Sequence, residues 1–343
     1  MKGQRLSLPW LAEQFTELPP DADVVSVQRY ARAYIMQLIG GFLFADKSNT
    51  LVHCMFLPLL INFDQAGTYA WGAACLAWLY RELCRASNAR SLEIAGPLIL
   101  LQVWAYDRFP ILAPQVPVEV SVGRPLSFRW SGVIPLSELS ANMLITYRMF
   151  FDRLINSQIN WTPYTSHIMA LLPRQCHNGQ AMWTYVGPMI CFHLVEKHQA
   201  DRVLRQFHML QMPPEFCSTD QGLHQIDLRG KHDQDWSRIH AEHIAMWHSR
   251  NNFCAEAEAT QKLTVSDNYF FWYTSITRRF MTPDGAYCYC MNNFVEDVRR
   301  VSMENNFEIF SPMCDEVMGD IDNLVQRTRR LNVADTDRRR IRR

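Results

Sequence analysis

From Val27 the apolar side chains fall at Val27, Tyr30, Ala31, Tyr34, Ile35, Leu38, Ile39 and Phe42. This three-four spacing predicts a helix laid on a core, with Asp21 and Asp23 at its start and Gly40-Gly41 as its stop. A second helix is expected over Tyr69 to Cys84. Tyr69, Ala73, Leu76, Ala77, Tyr80 and Leu83 lie on one face, and Trp71 and Trp78 make another side apolar. A helix apolar nearly all round belongs at the centre of a fold. Pro97, a good first-turn residue, opens a third helix through Leu98 to Trp104 and Phe109.

Five prolines and two glycines between Pro110 and Pro135 break the helical period. Val118, Val120 and Val122 alternate there like a short strand or extended connector, so a β or extended insertion is expected near 115–132. Helix resumes from Leu139 to Leu154. A further pair of helices is expected, one around Trp183 to Phe207, interrupted near Gly187-Pro188, and one from Asp235 to about Phe253. An aromatic run, Tyr269 to Tyr273, a turn at Pro283-Asp284-Gly285 and a helix from Ser311 to Arg330 follow. The fold class is therefore all-α, a single large helical domain over residues 1–310. A terminal helix at 311–330 and a basic, disordered tail at 331–343 complete the expected layout.

With 343 residues, 48% of them apolar and 20% charged, the chain can offset its ordering entropy by burial. Its 34 basic and 34 acidic side chains cancel, which argues against a long nucleic-acid wrap. Five of the basic residues are lysine, so 29 are arginine, the type suited to bidentate and partly buried pairing. The ten cysteines sit mostly inside apolar stretches, a pattern of small hydrophobes in a reducing compartment. Lys2 and Arg5 lead into Leu8-Pro9-Trp10 and not into an apolar core, so no secretory leader is expected. The strongest apolar stretch, Ile94 to Tyr106, is too short to cross a bilayer.

Chemistry-bearing constellations are few. His240 and His243, one helical turn apart, are the best metal candidates, yet Trp236, Ile239, Ile244 and Trp247 share their stripe and no third ligand stands at diagnostic spacing. Core or interface histidines fit that pattern better. Cys288 and Cys290 could be half of a zinc or redox site, but no matching second pair exists. Asp227, Asp233, Asp235 and Glu242 could hold divalent ions for nuclease work; a solvated loop with Asp235 capping a helix at Trp236 is simpler. Phosphate-binding glycine loops and a serine nucleophile elbow are absent. One sharp charge asymmetry remains, the set Arg327, Arg329, Arg330, Arg338, Arg339, Arg340, Arg342 and Arg343. It suits nucleic-acid phosphates, a nuclear import signal or a solubilising tail.

Several runs together resemble the plant mobile domain family, also called aminotransferase-like plant mobile domain. That family includes MAINTENANCE OF MERISTEMS-like proteins and phosphatase 7 long form homologs. The matching runs are Tyr34 to Ser48, Phe63-Asp64 with Tyr69 to Arg81, Leu100 to Pro110, Asp201 to Phe207, and Asp235-Trp236 to Trp247. The resemblance implies a helical, non-catalytic interaction domain of the nucleus, linked to transposon silencing, gene expression and meristem maintenance. It implies protein partners, a phosphatase of the protein phosphatase 7 type and chromatin-associated factors among them, with no cofactor and no membrane. The names aminotransferase and phosphatase do not carry over as activities: the metallophosphatase motifs are missing, and Gly319-Asp320 alone is not one. In the family a further N-terminal portion of the domain stands ahead of the stretch that begins near Gly3-Gln4-Arg5. The alternatives are a transposon-derived, metal-dependent nucleic-acid enzyme built on His240, His243 and the acidic loop, or an inactive transposon remnant.

Overall fold

Asp23 begins the first long helix of the computed structural model, accepting a hydrogen bond from the Ser26 amide at 2.7 Å. That contact satisfies an amide the first helical turn leaves without a partner. The structure describes residues 4–88, 91, 93–114, 119–132, 146–147, 149–151, 154, 158–214, 221–226, 234–256, 269 and 272. The chain divides into two compact units, one of Met1–Val133 with Ile159–Leu263 and one of Ile134–Gln158 with Thr264–Arg343.

In the first unit, β1 (Arg5–Ser7) leads into α1 (Leu8–Gln14), and α2 (Val24–Leu38) follows. β2 (Leu51–His53) pairs antiparallel with β1, placing Arg5 opposite His53. The expected stop at Gly40-Gly41 is not where the helix ends: it runs on as a wider π turn over Ile39–Leu43. The glycine is there for closeness. A Cβ on Gly40 would sit 2.6 Å from Val52 Cβ and 2.9 Å from Leu8 Cδ2, so only a bare backbone lets β2 and α1 approach. Arg32 ties α2 to the next segment, donating to the carbonyls of Leu60 at 2.8 Å and Ile61 at 2.9 Å.

After α3 (Phe63–Ala66) comes α4 (Trp71–Ala86), the expected central helix. It buries Cys75, Ala77, Leu79, Arg81 and Glu82, positions that cover more than one face. α5 (Leu98–Arg108) occupies the expected third stretch, with Pro97 as the residue before its first turn. The main core gathers Met36, Ile39, Leu60 and Ala77, each at most 2% exposed, with Phe44, Phe56, Met189 and Leu194. Burying one such large side chain stabilises the fold by about 1.5–3 kcal/mol.

One expectation is corrected. The helix anticipated around Trp183 to Phe207 is instead a β-hairpin, β3 (Val186–Cys191) and β4 (Leu194–Gln199), followed by a kinked 3-10 segment, Ala200–Phe207. Pro188 cannot donate within a helix, while β3 has an open edge where a proline is tolerated. Val186, Ile190 and Val195 favour the pleated surface, and α4 packs across both strands. Of the short strand or extended connector expected at Val118, Val120 and Val122, the described residues show the connector. Val120 and Val122 lie in a loop before a single helical turn, Leu126–Trp130, which starts after Pro125 and buries Leu126 with Met169 and Leu172. Val118 lies outside the described residues.

α6 (Ser166–Leu171) and the short α7 (Gln221–His224) complete this part of the unit. The expected helix from Asp235 is then split into α8 (Trp236–Ile239) and α9 (Ala241–His248), bent at His240, with a 3-10 turn over Arg250–Phe253. Among the described residues the architecture is mainly helical, with two small two-stranded sheets. No described helix is long and apolar enough to cross a membrane.

In the second unit, Thr146, Tyr147, Met149, Phe150 and Phe151 are helical, as expected for the stretch from Leu139. Tyr269 and Trp272 pack ring to ring at 5.5 Å. Cys288, Cys290, the Ser311–Arg330 helix, the C-terminal arginines, Asp227 and Asp233 lie outside the described residues.

Candidate functional site

Asp235 caps α8, accepting from the Ser237 amide at 3.0 Å and the Arg238 amide at 3.3 Å. A hydrogen bond donated by the Ser237 hydroxyl is the main reason its carboxyl is held below the usual range, and the Arg238 and Ser237 amides add to it. This carboxylate is thus committed to the helix cap, and Glu242 points from an exposed position on α9. At His240 the chain leaves helical geometry (φ −103°, ψ 24°) and the imidazole turns inward, 1% exposed.

There His240 lies flat on Trp236, ring centroids 5.6 Å apart and planes 18° apart. His193, from the hairpin turn, is 5.9 Å from the Trp236 ring, and His243 meets His240 edge-on at 6.0 Å. Burial lowers the His240 pKa, with His243 adding to the effect and the nearby His193 backbone opposing it. The ring is therefore neutral near pH 7. His240 and His243 are brought together, but among the described residues no three His, Cys, Asp or Glu side chains converge as an ion would need. Stacking on tryptophan at the bend gives His240 a packing role.

α9 presents its other side to an apolar cleft of about 270 Å³. Ile244 and Trp247 face Trp71 and Ala74 of α4, Ile190 of β3, and Phe44 and Phe56 across it. Tyr69 and Cys191 are the titratable side chains on this wall, and burial pushes the Cys191 thiol far up. A cleft so lined offers shape and apolar area.

Sequence reasoning missed the buried polar groups entirely. Arg81, 1% exposed, donates Nε to Glu196 of β4 and its two terminal nitrogens to the carbonyls of Ile226 at 3.0 Å and Leu223 at 3.1 Å. His224 Nδ1 lies 3.3 Å from Glu196 Oε2. Tyr80 pairs with His198 at 3.0 Å, and burial raises its phenol to about 12. Asp107 accepts from Arg129 and from the Trp130 indole, each at 2.7 Å. Fully buried Gln211 donates to the carbonyls of Asp201 and Met212, both at 2.9 Å. These groups hold chain segments together and leave few valences for chemistry. The excess of arginine over lysine, 29 to five, was the one signal of such pairing.

The model of the plant mobile domain matches residues 1–274. Among curated proteins of Arabidopsis thaliana, the chain is 40% identical over 82% of its length to a serine/threonine-protein phosphatase 7 long form homolog, covering 22% of that protein. It is 32% identical over 92% of its length to Protein MAIN-LIKE 1, covering 60% of it. To Protein MAINTENANCE OF MERISTEMS it is 32% identical over 62% of its length, covering 44% of that protein. The chain thus spans only part of the relatives it matches. No solved structure matches it.

Proposed function

Because this chain belongs to the plant mobile domain family, we propose that it is a non-catalytic protein-interaction domain that works in the nucleus, in meristem maintenance, gene expression and transposon silencing. The apolar cleft between α4, β3 and α9 carries this reading. Its wall is rich in Trp, Phe and Tyr, the side chains that dominate interface energetics. An apolar side chain of a protein partner fits such a recess. The partners proposed for it are a phosphatase of the protein phosphatase 7 type and chromatin-associated factors; two of its relatives are named after phosphatase 7 and after meristem maintenance. The arginine set from Arg327 to Arg343 would supply nuclear import or a contact to nucleic acid.

The test uses tagged chain in plant cells, wild type beside Ala74→Trp, which fills the cleft. Wild-type protein should be nuclear and should co-precipitate a phosphatase 7-type protein, and the variant should lose that partner while keeping the wild-type melting temperature. A cytosolic protein, or a partner retained equally by both, would overturn the reading.

A further inference from the structure

A second cleft, of about 680 Å³, opens beside the end of α5 and shares no lining residue with the apolar one. Arg108, the last residue of α5, is half-buried in its wall. Its Nε donates to Gln206 Oε1 at 2.8 Å, and its guanidinium packs on Trp104 at 5.2 Å from the ring centre. Gln206 is neutral. The adjacent carboxylate, Asp107, is compensated by Arg129 at 2.7 Å. Among the described residues Arg108 therefore has no ion-pair partner, and its terminal nitrogens have no protein acceptor.

A partly desolvated cation without a counter-ion is costly, and a guanidinium fork is the best protein shape for a carboxylate or phosphate. The surroundings suit the rest of such a ligand. Tyr164 and Trp183, ring centroids 5.7 Å and planes 55° apart, form an angled aromatic shelf in the same wall, and Ser127 and Thr162 bring hydroxyls. His208 at the rim holds a left-handed backbone (φ 58°), a conformation that concentrates at ligand-binding places. The volume lies within the range of small-molecule sites.

We propose that this cleft binds a small organic anion, a flat ring bearing a phosphate or carboxylate, with Arg108 holding the anionic group and the Tyr164–Trp183 shelf holding the ring. The site is independent of the protein-docking cleft, and each can fail without the other.

Isothermal titration calorimetry of the full chain tests it with adenosine monophosphate and 2-naphthoate as complete probes, and adenosine and inorganic phosphate as halves. At least one complete probe should saturate and bind about tenfold more tightly than either half, because a charge-assisted hydrogen bond contributes about that factor. The two complete probes distinguish phosphate from carboxylate as the anion. Arg108→Gln should weaken the complete probe about tenfold or more, with Arg108→Lys in between. Ala181→Trp fills the cleft from an exposed position in its wall, and should abolish binding even if the arginine variants fold poorly. No saturable binding of either complete probe, inorganic phosphate binding as tightly as both, or affinity unchanged in Ala181→Trp would each overturn the proposal.

Discussion

Arg81 of α4 and Glu196 of β4, 115 positions apart in the chain, form an ion pair inside the fold. The guanidinium also holds the carbonyls of Leu223 and Ile226, so one side chain fastens a helix, a hairpin and the α7 segment. Desolvating such a pair is costly, and removing one partner leaves the other as an uncompensated buried charge, which costs more than replacing both.

Removing one partner should therefore hurt more than removing both. Arg81→Met is expected to cost about 3–5 kcal/mol, because it strands Glu196 and two carbonyls away from water. Urea unfolding of Arg81→Met, Glu196→Leu and the double variant checks this. A double variant as unstable as the sum of the singles would show that the pair is not coupled.

Gly40→Ala is a small change with a large expected effect. The added methyl would press on Val52 and Leu8 at the π turn. Overpacking of this kind costs about 1–3 kcal/mol, whereas Gly41→Ala, whose Cβ would have Leu8 Cδ1 at 4.0 Å, should be near neutral. Equal melting temperatures for the two variants would contradict the packing at Gly40.

Acidification should weaken the fold earlier than carboxylate titration alone would. His240 and His198 are both pushed below 6.5, each mainly by burial, with His243 reinforcing the shift at His240 and Asp201 opposing it at His198. In the unfolded chain these rings take a proton near pH 6.5 while in the fold they do not, so the unfolded state binds more protons and stability falls as pH drops below that value. Urea midpoints between pH 7.5 and 5.5 should decline, and His240→Phe should flatten the decline. A wild-type midpoint that rises on acidification over this interval would contradict neutral buried rings.

Thiol reactivity should sort by burial. Cys75 is raised to about 11 and Cys191 further still, both by burial first, while Cys84 is exposed though its thiol is also raised. Alkylation follows the thiolate. Iodoacetamide at pH 7.5, followed by peptide mass spectrometry, should label Cys84 slowly and leave Cys75 and Cys191 unmodified until denaturant is added. Prompt labelling of Cys191 in the native protein would mean that the cleft beside it is open to its sulfur.

Helical periodicity made α2, α4 and α5 legible, because a run of apolar residues at three-four spacing has one way to bury its stripe. The Asp23 and Asp235 caps were equally readable, being local contacts between a carboxylate and amides two or three residues on. So was the family, through runs of aromatic and arginine residues in fixed order.

Tertiary structure alone decided the rest. Val186 to Gln199 has apolar content compatible with helix or strand, and the surface of α4 against which it packs settled it as a hairpin. The bend at His240, the closeness at Gly40 and the unpaired fork of Arg108 all depend on residues tens of positions distant. Local sequence sets which backbone shapes are cheap; which side chains lose water together is a property of the assembled chain, and both clefts are made of that.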